Sequence, residues 1–165
     1  MATAILALGS NLDPAKENID KAIKALSSVG NIKEIAPYIV SKPEGYTHQP
    51  DFINTVLVLS TPYLPMPLLK KLKELEKQLG RTPTFPNGPR VIDLDILFYD
   101  NMVIFEDTEE YTLVIPHPRI QEREFVLKPL SYILPDYIHP KLGKPIYKLY
   151  RELMKKKGLP TCKIL

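Results

Sequence analysis

The sequence predicts an α+β fold in which helices pack on an antiparallel sheet. Short apolar or alternating segments, typical of strands, are separated by longer segments with helical spacing of apolar residues. Their order along the chain is strand, helix, strand, strand, helix, strand, which is the order of a ferredoxin-like core. Extra strands and helices are expected toward the C-terminus. We expect residues 1–165 to form a single domain, because this length suffices for one hydrophobic core.

The composition is typical of a globular protein from a reducing compartment. The chain is 44% hydrophobic and 25% charged, and its net charge of +3 is too small to argue for nucleic acid as a partner. The single cysteine, Cys162, excludes an internal disulfide framework and a cysteine-based zinc cluster. No apolar run approaches the length of a transmembrane helix, and no basic region precedes the first apolar strand. We therefore expect a cytoplasmic protein, and a monomer by default.

The first strand and helix are predicted from an apolar run and a capping pattern. Thr3–Leu8 is a short apolar run expected to form a buried strand, which the turn Gly9–Asn11 ends. Asp13 stands where an N-cap residue should be, Pro14 stands at the first helical position, and Gly30 is expected to end the helix. A strand, a small-residue turn and a helix N-terminus can bind an anion. Because the turn lacks a glycine-rich fingerprint and a P-loop lysine, a tight turn with a cap is the simpler interpretation.

Two further strands are predicted over Ile32–Val40 and Phe52–Leu59. Pro37 within the first indicates an edge strand or a bulge. In the second, alternation places Phe52 and Asn54 on the same face. A buried asparagine needs partners for its amide, and a neighbouring aromatic ring could stack on a flat ligand whose edge the amide reads. The alternative is a core phenylalanine beside an asparagine that bonds to a loop backbone.

The second long helix is predicted to begin near Pro67 and to end before Gly80. Glu76 lies at the margin of its apolar stripe, so this acid is either half buried with a hydrogen-bond donor or solvated at the surface. A loop follows, with Arg81 at its front and Arg90 at its rear. Two arginines flanking a loop suit a lid over a phosphate chain, although any surface loop can share this pattern.

A pair of aspartates after this loop is the strongest chemical signal in the sequence. The chain alternates with period two beyond Arg90, so Asp93 and Asp95 should point to the same side of a strand. Aspartate is depleted in strands and neighbouring carboxylates repel each other, whereas Mg²⁺ takes oxygen ligands and needs negative charge nearby. With the phosphate-binding guanidinium of Arg90, the pair predicts a polyphosphate site, and a solvated sheet face is the alternative. The opposite side of the predicted strand carries Ile92, Leu94, Ile96 and Phe98.

Further candidate phosphate contacts follow in the C-terminal half. His117 is fixed between two prolines and is either a phosphate donor or a structural residue. Arg119 and Arg123 would share a helix face if Pro118 begins a helix, and a common anion would then relieve their repulsion. The other elements predicted in this half are strands over Met102–Phe105 and Tyr111–Ile115 and a helix over Lys144–Gly158.

Taken together, these segments resemble the hydroxymethyl-dihydropterin pyrophosphokinase family. The resemblance covers nearly the whole chain, and the C-terminal end is the least distinctive part. An Arg-x-x-Asp-x-Asp motif alone is common, whereas all the segments in this order are highly specific. The resemblance is carried by Ala7–Leu12, Gln49–Asn54, Leu79–Arg81, Gly88–Leu97, Ile115–Pro118 and Arg123–Phe125.

This resemblance implies an enzyme of folate biosynthesis that transfers pyrophosphate from ATP to the hydroxymethyl group of 6-hydroxymethyl-7,8-dihydropterin and releases AMP. ATP would be the co-substrate, and two Mg²⁺ ions would bind Asp93 and Asp95. No nucleic acid or membrane partner is implied. The resemblance also implies phosphate-handling, catalytic roles for Arg81, Arg90, His117 and Arg123, pterin contacts for Phe52, Asn54 and Phe125, and an adenine contact for Ile96.

The loop between Arg81 and Arg90 departs from the family pattern. It contains no lysine or arginine, and two of its prolines stand where basic residues are common. Asn87 stands where the family often has a tryptophan that closes over the pterin. We hypothesise that this loop closes less tightly and that Phe85 replaces the missing aromatic lid.

Two other functions are compatible with a ferredoxin-like fold. A two-metal nucleotidyltransferase would need a third acid on a neighbouring strand and a nucleic-acid groove, and the sequence indicates neither. An RNA-binding domain would need aromatic and basic residues on the sheet face, where Asp93 and Asp95 would instead repel phosphates.

Overall fold

The computed structural model describes all residues, 1–165. None of its helices combines the length and the apolar character needed to cross a membrane. Single turns of 3-10 helix occur at Leu26–Ser28 and Ile120–Glu122. The other elements are, in chain order, β1 (Ala2–Ser10), α1 (Ala15–Ala25), β2 (Asn31–Ile35), β3 (Ile39–Ser41), β4 (Phe52–Thr61), α2 (Pro65–Gln78), β5 (Asp93–Tyr99), β6 (Ile104–Asp107), β7 (Thr112–Ile115), α3 (Glu124–Ile133), α4 (Ile146–Lys157) and β8 (Lys163–Ile164).

The main sheet has the strand order β5-β1-β4-β3-β8, and β2 also pairs with β4. Every pairing is antiparallel, so the predicted ferredoxin-like core is confirmed. The strand predicted over Ile32–Val40 is two strands, β2 and β3, which pair with successive parts of β4. The break falls around Pro37, because proline has no N–H to give to the sheet. Strands β6 and β7 form a separate two-stranded hairpin.

Helices cover both faces of the main sheet. On one face α1 and α2 pack around a core that includes Leu6, Leu57 and Leu94. On the other face α3 and α4 pack around Val56 and Leu97. The second pair covers only part of its face, and a cleft lies beside α3, over β1, β4 and β5.

A β-bulge in β5 changes which residues face which core. Leu97 is an extra residue between two positions that pair with β1. Phe98 therefore packs with Leu97 against α3 and α4, and the prediction that Phe98 shares a face with Ile96 is wrong. Asp93 and Asp95 precede the bulge, so they keep the common face that alternation predicts.

The turn between β1 and α1 serves the fold. Pro14 is the N-cap residue of α1 and no side chain caps the helix, so the predicted capping role of Asp13 is wrong. The Asn11 side chain instead accepts a hydrogen bond from the backbone N–H of Arg90 at 2.9 Å and donates one to Gln49 at 2.8 Å. The turn thereby fixes the chain that leads into β5.

Candidate active site

The floor of the cleft is β1, and its walls come from β4, β5 and α3. Gly9 lies in this floor, where a Cβ atom would sit 2.8 Å from Oδ1 of Asn54. Only glycine therefore lets the amide of Asn54 lie close over β1. The predicted site residues that line the cleft are Phe52, Asn54, Arg90, Asp93, Asp95, His117, Arg123 and Phe125.

The two aspartates lie side by side but have different neighbours. Asp93 accepts hydrogen bonds from Arg81 at 3.0 Å and from Arg90 at 3.2 Å. Asp95 accepts none, and its nearest cation is the ammonium group of Lys73, at 3.9 Å. Burial in the cleft and the nearby charge of Asp93 raise the pKa of Asp95 above its ordinary value. The negative charge of Asp95 is thus not balanced by a hydrogen-bond donor or by a cation in close contact.

Glu76 anchors this end of the cleft from behind. It is 3% exposed and accepts hydrogen bonds from the backbone N–H of Leu94 and from Arg81, both at 2.6 Å. Lys73, one helical turn earlier, donates to it at 3.3 Å. Of the two sequence-based alternatives for Glu76, the acid with hydrogen-bond donors is the one found, but it is fully buried and not half buried. Because Arg81 also holds Asp93, these contacts fasten α2 to the start of β5.

The other end of the cleft carries two aromatic rings and an amide. Phe52 and Asn54 project from β4, and Phe125 projects from the first turn of α3. Asn54 is 7% exposed, and its amide donates to the hydroxyl of Ser41 on β3 at 2.5 Å. Its partner is thus a neighbouring strand's side chain, not the loop backbone of the second sequence-based alternative, and the amide oxygen is left available to a ligand.

His117 enters the cleft as a neutral hydrogen-bond donor. Its Nδ1 accepts a hydrogen bond from the backbone N–H of Arg119 at 3.1 Å, which leaves the proton of the neutral ring on Nε2. Desolvation, followed by the positive charges of Arg123 and Arg119, lowers the pKa of His117 to about 4. The imidazole therefore stays uncharged near neutral pH.

Arg119 and Arg123 meet at a common anion, but not in the predicted way. The chain between them forms a turn of 3-10 helix, and Arg123 has an extended backbone before α3 begins, so the predicted shared helix face is wrong. The anion is the carboxylate of Glu44, 3.1 Å from Arg119 and 3.2 Å from Arg123. Glu44 lies in the loop between β3 and β4, and no spacing in the sequence links it to the arginines.

Two predicted site residues lie away from the cleft wall. Arg81 reaches the cleft only through its contact with Asp93. Ile96 is 4% exposed and packs in the α1–α2 core, on the opposite face of the sheet. Its adenine contact stays a prediction. Sequence reasoning also missed Lys73, whose only signal was its position one turn before Glu76.

The fold and the cleft define a class of protein: a small α+β transferase with paired carboxylates and arginines at one end of its cleft and an aromatic slot at the other. The model of the family "7,8-dihydro-6-hydroxymethylpterin-pyrophosphokinase (HPPK)" matches residues 5–135. This chain belongs to that family of pyrophosphokinases, which act in folate biosynthesis.

Curated relatives agree with this assignment, and a solved structure has the same fold. The 2-amino-4-hydroxy-6-hydroxymethyldihydropteridine pyrophosphokinase of Aquifex aeolicus is 41% identical over 165 residues, which cover 100% of this chain and 99% of that protein. The folic acid synthesis protein FOL1 of Dictyostelium discoideum is 44% identical over 137 residues, which cover 83% of this chain but only 20% of that protein. The crystal structure of wild-type Plasmodium falciparum HPPK-DHPS has the same fold, with a TM-score of 0.82 at 18% identity over 99% of this chain and 44% of that one.

Proposed function

We propose that this chain, acting as one domain over residues 1–165, transfers pyrophosphate from ATP to the hydroxymethyl group of 6-hydroxymethyl-7,8-dihydropterin and releases AMP. One observation carries the proposal. A pair of carboxylates, Asp93 and Asp95, shares a cleft with a ring-and-amide slot formed by Phe52, Asn54 and Phe125. The first group suits the phosphate chain of a nucleotide and the second suits a flat heterocycle, so the two substrates would meet between them.

Mg²⁺ is the cofactor that the carboxylate end fits best. Mg²⁺ is commonly held by one or two protein carboxylates together with substrate phosphate oxygens. Asp93 and Asp95 offer two carboxylates, and the chain has no cluster of three or more His, Cys, Asp or Glu side chains that would hold a metal alone. Asp95, which lacks a hydrogen-bond donor, has oxygens free for a cation. When bound, two Mg²⁺ ions would neutralise the phosphates and hold the reacting oxygens in line.

The arginines and His117 are proposed to hold the transferred pyrophosphoryl group. Arg90 uses one terminal nitrogen on Asp93, and a guanidinium has five N–H donors, so it keeps donors for phosphate oxygens. Arg81, which is bound to Glu76 and Asp93, would act on the group through Asp93. Nε of Arg90 is buried without a partner, and a phosphate oxygen would satisfy it. The Nε2–H of His117 and the guanidinium of Arg123 approach from the facing wall. Together these donors would stabilise the charge that develops during transfer.

The aromatic end is proposed to orient the pterin. Phe52 and Phe125 would contact the faces of the ring, which gains from stacking and from the removal of apolar surface from water. The N–H₂ group of Asn54 donates a hydrogen bond to Ser41, so the amide oxygen can accept one from an N–H on the edge of the ring. With the ring held in this way, the hydroxymethyl group would point toward the carboxylates.

Product analysis tests the proposal directly. The chain is incubated with ATP, Mg²⁺ and 6-hydroxymethyl-7,8-dihydropterin, and the nucleotide products are separated by chromatography. We expect AMP in a one-to-one ratio with pterin pyrophosphate, and none when EDTA replaces Mg²⁺ or when the pterin is omitted. Release of ADP, or of free pyrophosphate alone, would show that the chain catalyses a different transfer. We further propose that the enzyme works as a monomer without nucleic acid, which light scattering of the pure protein would check.

A further inference from the structure

A fully buried carboxylate lies between two residues of the cleft wall. Glu124 is the first residue of α3 and stands between Arg123 and Phe125, yet its side chain is only 1% exposed and does not line the cleft. A buried charge is stable only when donors surround it. The donors to Glu124 come almost entirely from the tail, by which we mean residues Gly158–Leu165.

The tail satisfies both oxygens of Glu124. The backbone N–H groups of Thr161 and Cys162 donate at 3.1 Å and 2.9 Å, and the hydroxyl of Thr161 donates at 3.0 Å. The ammonium group of Lys157, just before the tail, donates at 3.0 Å. Burial alone would raise the pKa of Glu124, but hydrogen bonds from the backbone N–H groups of Cys162 and Thr161 and from the side chains of Lys157 and Thr161 outweigh it and lower the pKa to about 2. Glu124 is therefore an ionised, directional attachment point. A second attachment joins Lys128 of α3 to the carbonyl oxygen of Cys162 at 2.8 Å.

Beyond this attachment, the tail adds a strand to the opposite wall of the cleft. Its strand β8 pairs with β3 through Ile39–Ile164 and Val40–Lys163. Strand β3 pairs with the part of β4 that carries Phe52 and Asn54. The hydroxyl of Ser41, the last residue of β3, accepts a hydrogen bond from the side-chain amide of Asn54. The tail thus connects the wall that presents Phe125 to the wall that presents Phe52.

We propose that the tail is a clamp that sets the width of the pterin slot, with Glu124 as the positioning residue through which it acts on Phe125. This inference rests on the proposed function, because the pterin is the ligand whose fit it controls. The apolar packing of α3 on the sheet holds the helix on its face but is not directional. The hydrogen bonds of Glu124 fix the position of the helix's first turn, where Phe125 lies. The family model ends at residue 135, so the tail lies beyond the part of the chain that it matches.

The clamp makes a prediction that separates it from a general effect on stability. Loss of the clamp should weaken the pterin slot and leave the carboxylate end, formed by α2 and β5, unchanged. A displacement of about 1 Å in a binding group can cost up to about 100-fold in rate, and we expect about a tenfold loss of pterin affinity here. The dissociation constant of an unreactive ATP analogue should rise by less than about threefold, because among its proposed contacts only Arg123 lies next to Glu124. The contacts with Arg90 and with Mg²⁺ on the aspartates would persist.

The test uses Glu124→Gln, a chain ending at Gly158, and the two changes combined. The control is Glu152→Gln, which removes an acid of α4 that pairs with Lys144 and has no contact with the tail. For each variant, the dissociation constants of 6-hydroxymethylpterin and of the ATP analogue are measured by fluorescence, and KM for each substrate and kcat are measured by AMP release. We expect Glu124→Gln and the shortened chain to raise the pterin constants. The combined variant should be no worse than the shortened chain, because Glu124 has already lost its tail donors in the shortened chain.

Three results would overturn the clamp: unchanged pterin affinity, equal weakening of pterin and ATP binding, or additive effects in the combined variant. If the shortened chain does not fold, Thr161→Ala, which removes a single hydroxyl donor to Glu124, is combined with Glu124→Gln in its place. Wild-type protein separates the two proposals. If it fails to release AMP, the proposed function is wrong whatever the variants do. If it releases AMP and the variants bind pterin normally, only the clamp is wrong.

Discussion

At the carboxylate end of the cleft, Glu76, Arg81 and Asp93 are joined by ion pairs of 2.6 Å and 3.0 Å within a short stretch of chain. At the ring end, Phe52 and Phe125 come from distant parts of the sequence and are held by β3, β4, α3 and the tail. The first end is a network of charges that are close in sequence. The second is a set of walls brought together by the whole fold.

This difference separates two kinds of control over one reaction. If the proposed function holds, charges in a partly buried network would act on the chemistry, because they would lie where charge develops on the phosphates. Walls that come from distant segments act on how well a ring fits, because their spacing depends on many weak contacts. Substitutions at the carboxylate end should therefore change kcat or stability, and substitutions around the ring end should change affinity.

The largest effect is expected from the aspartates. Asp93→Asn and Asp95→Asn each remove a carboxylate that Mg²⁺ would use, and we expect kcat for AMP release to fall by about 1,000-fold or more. Asp95→Asn should leave the unfolding midpoint in urea nearly unchanged, since Asp95 accepts no hydrogen bond. The control is Asp107→Asn, which changes an exposed acid on β6 and should keep full activity. If the Asp95 variant instead unfolds, the pair is structural and the contrast between the two ends fails.

The next largest effect is on stability, at Glu76. Glu76→Gln keeps the shape of the side chain but removes the charge that compensates Arg81 and Lys73 in a buried site. We expect the free energy of unfolding in urea to fall by about 3 kcal/mol. Glu74→Gln, an exposed acid on the same helix, should change it by less than about 0.5 kcal/mol. Equal values for the two variants would mean that the ion pairs do not hold this end together.

The same difference between the two ends of the cleft explains which of their residues could be predicted from the sequence. The aspartate pair and Arg90 could be identified because strand alternation is a local rule, and Glu76 was flagged because helical spacing is local too. The fate of Phe98 could not be predicted, because the bulge at Leu97 arises from pairing with β1. The hydrogen bonds of Glu124 could not be predicted either, because its partners lie in the tail and no periodicity connects them.

A smaller effect is expected from Glu44, which stands between the two ends. Its carboxylate pairs with Arg119 and Arg123, so ATP would compete with it for Arg123 if that arginine holds phosphate as proposed. Glu44→Gln should lower KM for ATP by about threefold, the modest effect expected for a partly exposed ion pair. Glu122→Gln is the matched control, because Glu122 lies 4.0 Å from Arg119 and forms no ion pair with Arg123. An unchanged or higher KM in the Glu44 variant would show that this carboxylate aids binding instead of competing.

A similarly small effect is expected at Phe85, in the loop that lacks the family's basic residues. Phe85 is 50% exposed and packs edge-on against Tyr46, with ring centroids 5.0 Å apart, and nearby Gln49 donates to the carbonyl oxygen of Asn87 at 2.7 Å. The loop thus rests on the segment between β3 and β4, beside the ring end. If Phe85 is the aromatic lid, Phe85→Ala should speed pterin release by about threefold in stopped-flow measurements, because one edge-to-face contact is lost. Thr82→Ala, in the same loop, should have no effect. An unchanged pterin affinity and an unchanged chemical step in the Phe85 variant would remove this residue from the mechanism and leave the fit of the ring to Phe52, Asn54 and Phe125 alone.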